Sequence, residues 1–155
     1  MGKSLEGAKG SVWAMLLTAH AVLVELIEAR LAQQGLPPLG WYDVLWALER
    51  AEEQRLRMNQ LAENVVLSRS NLTRLVDRLE QAGLVGRQRS KDDRRGAFAV
   101  LTAEGKAMRK RMWPVYKGRI DACFGEHVTL DEARSLADTL EKVQRHLRGR
   151  TLEQP

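Results

Sequence analysis

Ser68, Arg69, Ser70, Asn71, Thr73, Arg74 and Arg78 fall within eleven residues of one another. Hydroxyl, amide and guanidinium groups at this density are the side chains that read base edges and grip phosphate oxygens. A second basic group follows at Lys91, Arg94 and Arg95, inside the polar run Ser90–Gly96. Charge sets the whole stretch apart. From Ser68 to Arg111 twelve Lys/Arg stand against five Asp/Glu, a net +7, whereas the full 155-residue chain carries +5. All of the positive excess lies here, as an electrostatic footprint on nucleic acid requires. The pI of about 9.7 agrees.

Other chemistries find less support. The sequence has no Gly-rich phosphate loop, no His-Glu-x-x-His, no Gly-x-Ser-x-Gly and no paired CxxC, so no catalytic residues are assigned and an enzyme is not expected. Ser68 and Ser70 have no His near them, and helix capping accounts for them better than nucleophilic catalysis. Cys123, Glu126 and His127 fall at i, i+3 and i+4, a spacing that could clamp a metal, but Gly125 stands between them as a helix stop. No metal or other cofactor is assigned. A single cysteine excludes an internal disulfide framework and suits a reducing, cytoplasmic setting. Five of the eight aromatic residues, Trp13, Trp41, Tyr42, Trp46 and Trp113, gather on three of the expected helices. Core packing and the lining of an apolar ligand slot both account for them.

The basic stretch needs a scaffold, and its spacing supplies one. Leu72, Leu75, Val76 and Leu79 recur at i, i+3, i+4 and i+7, one stripe of a helix whose other face carries the polar set. Ser68 stands at the N-cap position and Gly83 at the C′ stop. Beyond Gly83 the period becomes two, with Leu84, Val85, Arg87 and Arg89 entering a hairpin and Phe98, Val100 and Leu101 leaving it. Its tip is Ser90–Gly96. Helix followed by basic-tipped hairpin is the order of a winged helix-turn-helix.

The flanks read as helices. Ser11 to about Gln34 is apolar on more than one face, which calls for partners on several sides, and we expect a second subunit to provide them. Gly35-Leu36-Pro37-Pro38 ends it. Trp41 to Arg50 turns Val44, Leu45 and Leu48 inward, and Asn59 caps a helix Gln60–Val66. Thr102 caps a helix reaching about Phe124, in which Pro114 predicts a kink. Thr129 and Glu132 form a capping box for a last helix striped by Leu130, Ala133, Leu136, Ala137, Leu140, Val143 and Leu147. No uninterrupted apolar run is long enough to span a bilayer, and the first ten residues lack the apolar stretch of a signal peptide. A membrane partner is not expected.

The run from Arg55 to Gly105 resembles the DNA-binding lobe of the MarR family of bacterial transcriptional regulators. The likeness is closest at Ser68–Leu84 and at Asp93-Arg94-Arg95-Gly96 leading into Val100-Leu101-Thr102. It implies a fold that is mainly α with a small antiparallel β wing, a winged helix-turn-helix dimerising through its N- and C-terminal helices. Residues 1–155 would be one domain, with 11–34 and 102–148 as dimerisation helices and 41–101 as the DNA-binding lobe. Arg55–Met58 would be the third strand of the wing sheet. The resemblance further implies a homodimer on a pseudo-palindromic, double-stranded DNA operator, contacted by Ser68, Arg69, Ser70, Asn71, Thr73, Arg74, Arg78, Lys91, Arg94 and Arg95. Arg95 would enter the minor groove, steadied by Asp93. It implies a repressor released by a small aromatic carboxylate or phenol, for which Trp13, Leu17, His20, Trp41, Trp46 and Trp113 are the expected lining. The alternative is a ligand-independent or redox- or metal-tuned repressor.

Overall fold

The computed structural model describes residues 7–65, 69–89 and 97–151. In chain order they form α1 (Ala8–Gln33), α2 (Leu39–Arg50), β1 (Arg55–Arg57), α3 (Met58–Asn64), α4 (Arg69–Gln81), β2 (Val85–Arg89), β3 (Ala97–Leu101), α5 (Ala103–Cys123) and α6 (Leu130–Thr151), with 3-10 turns at Glu52–Gln54 and Gly125–His127. The architecture is mainly α with a small antiparallel sheet, the winged helix-turn-helix read from the sequence. The chain divides into two compact units, Met1–Gly118 and Arg119–Pro155.

Within the first unit one apolar core joins α2, α3, α4 and the sheet. Val44, Leu45 and Leu48 of α2 meet Leu61 and Val65, then Leu72, Val76 and Leu79 of α4, and finally Leu84, Val85, Ala99 and Leu101. The α4 stripe is therefore the face that fixes the helix, and its polar face is left outward. The sheet has the order β1-β3-β2, antiparallel throughout, with Val85 opposite Leu101 and Arg57 opposite Phe98. β1 is thus the third strand, as expected, but it stops at Arg57. Met58 opens α3 instead of ending the strand, and Asn59 lies inside that helix rather than capping it. The reason is Gln60, whose side-chain oxygen accepts the Arg57 N–H at 3.0 Å and so starts the helix before Asn59.

Helix ends differ from expectation in their cause. α1 stops at Gly35, whose φ is +64°, through a Schellman pair: Leu36 N–H donates to the Leu31 carbonyl and Gly35 N–H to that of Ala32, each at 3.0 Å. The prolines that follow set the start of α2. Its first free amide, on Leu39, donates to the Glu28 carboxylate of α1 at 2.9 Å. Pro114 lies inside α5, which continues through it. Thr129 and Glu132 make the expected capping box, with the Thr129 N–H donating to the Glu132 carboxylate at 2.9 Å. The Thr129 hydroxyl, donating to the same carboxylate at 2.7 Å, and then the N–H hold the Glu132 carboxyl below its ordinary range.

α1 departs from the reading in one more respect. Lys9–Gln33 is long and apolar enough, by length and mean hydropathy, to cross a membrane; counting uninterrupted runs missed this because Glu25 and Glu28 interrupt them. Ile27 and Leu31 near its C-terminal end are buried, whereas Val12, Trp13, Met15, Leu17 and Val22 are exposed on the single chain.

Candidate nucleic-acid interface

α4 presents Asn71, Thr73, Arg74 and Arg78 on its exposed face, opposite buried Leu72, Val76 and Leu79. The backbone of Arg69 and Ser70 forms its first turn. Ser68, with its expected cap, lies outside the described residues, as do Lys91, Asp93, Arg94 and Arg95 at the hairpin tip. What the structure does bring together is the base of that hairpin and the end of α4.

This junction is closely built. Gly83 adopts φ +73°, Leu84 N–H donates to the Leu79 carbonyl and Gly83 N–H to that of Glu80, both at 2.9 Å. The Gly83 carbonyl then accepts the Thr102 hydroxyl at 2.8 Å, and the same hydroxyl accepts the Gly105 N–H at 3.0 Å as the expected cap of α5. A Cβ on Gly105 would sit 2.1 Å from the Leu84 carbonyl oxygen. The first turn of α5 is therefore pressed against the turn between α4 and β2. Farther out, Arg87 of β2 reaches back to α4, where its Nη2 pairs with Asp77 and its Nε lies 3.2 Å from Glu80 Oε2. Sequence reading placed Arg87 only as a strand residue. Asp77 and Glu80, three apart at the end of the helix, were the available signal.

The outer face of the sheet is also basic. Arg55 and Arg57 lie 5.0 and 5.1 Å from the Phe98 ring centre, with Arg55 bonded to Gln88 at 3.2 Å and paired with Glu53.

The residues expected to line a ligand slot separate into three places. Trp46 and Trp113 join one cluster, each stacked with buried Tyr42 at 6.5 and 6.0 Å, and Tyr116 closes it edge-on at 5.0 Å from Tyr42. Trp41 packs against the core shared by α2, α3, α4 and the sheet. Trp13, Leu17 and His20 are exposed on α1, Trp13 by 57%, and among the described residues they make no ring contact with the cluster. The cluster carries charge that the sequence did not reveal. Arg109 lies 5.0 Å from the Trp46 ring and Arg50 5.7 Å. Arg109 also forms an ion pair with Glu49, Nη2 at 3.2 Å from Oε1 and Nε at 2.5 Å from Oε2, both side chains mostly buried. Burial pushes the Tyr42 hydroxyl up, against the opposing pull of Arg109. Beside Trp46 opens a cleft of about 360 Å³ lined by Asp43, Arg50, Leu56, Asn64 and Val65. Burial, reinforced by Glu28, raises the Asp43 carboxyl above its usual range. No three His, Cys, Asp or Glu side chains among the described residues gather as a metal-ligand set, Cys123, Glu126 and His127 included.

Comparisons with known proteins agree with this geometry. A sequence model of the MarR family matches residues 34–96. The transcriptional regulator PrsX of Escherichia coli is 31% identical over 106 residues, 68% of this chain and 63% of that protein's length. The chain thus spans somewhat under two thirds of that relative. The crystal structure of AbsC, a MarR family transcriptional regulator from Streptomyces coelicolor, superposes with a TM-score of 0.82 at 30% identity, covering 91% of this chain and 95% of that one. Sco3205 from the same organism, solved in complex with DNA, also gives a TM-score of 0.82, at 29% identity and with 90% and 87% coverage.

Proposed function

The chain belongs to the MarR family of transcriptional regulators, and on that premise we propose that it binds a pseudo-palindromic DNA operator as a homodimer and represses until a small aromatic ligand releases it. The observation that carries the DNA reading is α4: a helix anchored by Leu72, Val76 and Leu79 whose outward face offers Asn71, Thr73, Arg74 and Arg78 beside a three-stranded wing sheet. Such a helix fits the major groove, and its arginines suit bidentate contact with guanine. Arg69 and Ser70 in its first turn, Ser68 before it, and Lys91, Arg94 and Arg95 at the wing tip complete the contact set in this reading. Arg95 takes the narrow, electronegative minor groove. The exposed apolar residues of α1, together with Leu136 and Val143 of α6, support dimerisation through the terminal helices, because a lone chain leaves them in water. A protein of this kind acts in the cytoplasm, beside the DNA.

The effector reading rests on the ring cluster and its cations. Trp46 and Trp113 offer flat apolar faces, and the exposed Arg50 beside Trp46 stands where a carboxylate or phenolate could be held. Trp13, Leu17 and His20 join that site only once a second protomer covers α1, while Trp41 serves the core. Competition tests the DNA reading directly. Duplex from upstream of the chain's own gene should be retained against random duplex by a factor on the order of 10³ or more. Equal competition by random duplex would instead mark a sequence-indifferent binder.

A further inference from the structure

We propose that Arg87 is a positioning residue that holds the wing to the recognition helix, so that both meet DNA as one body. The inference rests on the DNA-binding reading above. β2 leaves the core almost at once: Val85 is buried, whereas Arg87, Gln88 and Arg89 are exposed. No apolar side chain of the outer half of the strand is therefore there to fix its tilt. Arg87, opposite Ala99 in the register, supplies a tie in its place, spanning Asp77 and Glu80 on the last two turns of α4. Residues three apart lie on one helical face, and a planar guanidinium engaging both is held in orientation as well as in position. The three side chains are between a third and a half exposed. A pair so placed adds little to global stability, so its effect is local: it sets the orientation of the strand and resists its opening from α4. It also occupies a cation of the wing base that would otherwise look like a phosphate contact.

The geometric role and a direct phosphate contact predict opposite results. Asp77→Asn/Glu80→Gln frees Arg87 and removes two negative charges per chain, raising its net charge by two. A phosphate-contact role would then tighten binding, whereas loss of positioning should weaken it about tenfold. On an operator recovered from a random duplex pool, Arg95→Ala should cost about tenfold in the otherwise native chain and less than about threefold in an Arg87→Ala background, because a displaced wing no longer delivers Arg95. Tighter binding by the double amide variant, or fully additive costs for Arg87 and Arg95, would overturn the proposal. Hydrogen exchange without DNA provides a separate arm. Amides of Val85–Arg89 and Ala97–Leu101 should exchange faster in both Arg87→Ala and Asp77→Asn/Glu80→Gln, and unchanged exchange would also overturn it. Accelerated exchange in a chain that prefers no duplex would uphold the tie and defeat the DNA reading instead.

Discussion

In the proposed reading Arg74 and Arg95 divide two kinds of work, and their alanine variants should separate them. Arg74 stands exposed on α4, where a bidentate base contact is worth roughly 1–3 kcal/mol at one position. Arg74→Ala should accordingly relax preference at one base pair in a binding-site selection. Arg95→Ala should weaken binding evenly across related sequences and lower the slope of log affinity against log salt by about one. A wild-type slope in Arg95→Ala would leave that arginine without a DNA role. The polar face of α4 was legible because four apolar positions at helical spacing define its opposite. Arg109 was not legible at all. Its partner Glu49 lies sixty positions away, and no local spacing announces a pair made only when α5 crosses α2.

Among the elements, the junction of α4, the sheet and α5 is tightly constrained, and Gly105 measures it. With the Leu84 carbonyl 2.1 Å from a notional Cβ, Gly105→Ala must push α5 away from the turn that sets β2. We expect a loss of about 1–3 kcal/mol, read as a lower urea midpoint at unchanged slope. Stability equal to wild type would mean that the junction yields at little cost. Thr102, Gly83 and the Thr129–Glu132 box were recognisable as caps because each acts within its own few residues. The cap of α2 escaped notice for the opposite reason, since its acceptor, Glu28, comes from the preceding helix.

For the molecule as a whole, the exposed apolar surface of α1 sets the expectation. Sedimentation at micromolar concentration should return twice the chain mass of 17.5 kDa, and footprints should show half-sites about 10 bp apart, centre to centre, or a small multiple of that. A clean monomer that still binds its operator tightly would defeat the dimeric reading. An aromatic acid supplied at 100 times its dissociation constant should stabilise the fold by about 2.7 kcal/mol and displace operator. Trp46→Ala should remove both effects while ligand-free DNA binding persists. If no aromatic acid moves either readout, the ring cluster is packing and the ligand-independent repressor gains.

Local rules carried much of this protein. The α4 stripe, the period-two hairpin, the caps at Thr102 and Thr129 and the concentration of charge after Ser68 all arise from neighbours within a turn or a strand, so the sequence alone determined the winged helix-turn-helix and its basic face. Tertiary structure decided the rest. It packed Trp41 against the core, gathered Trp46 and Trp113 around Tyr42 away from Trp13 and His20, and set Arg87 across the end of α4. Each of these depends on which surfaces meet after distant segments pack. A one-dimensional pattern can state that a tryptophan is apolar, but only the packed neighbours decide which side of it is covered.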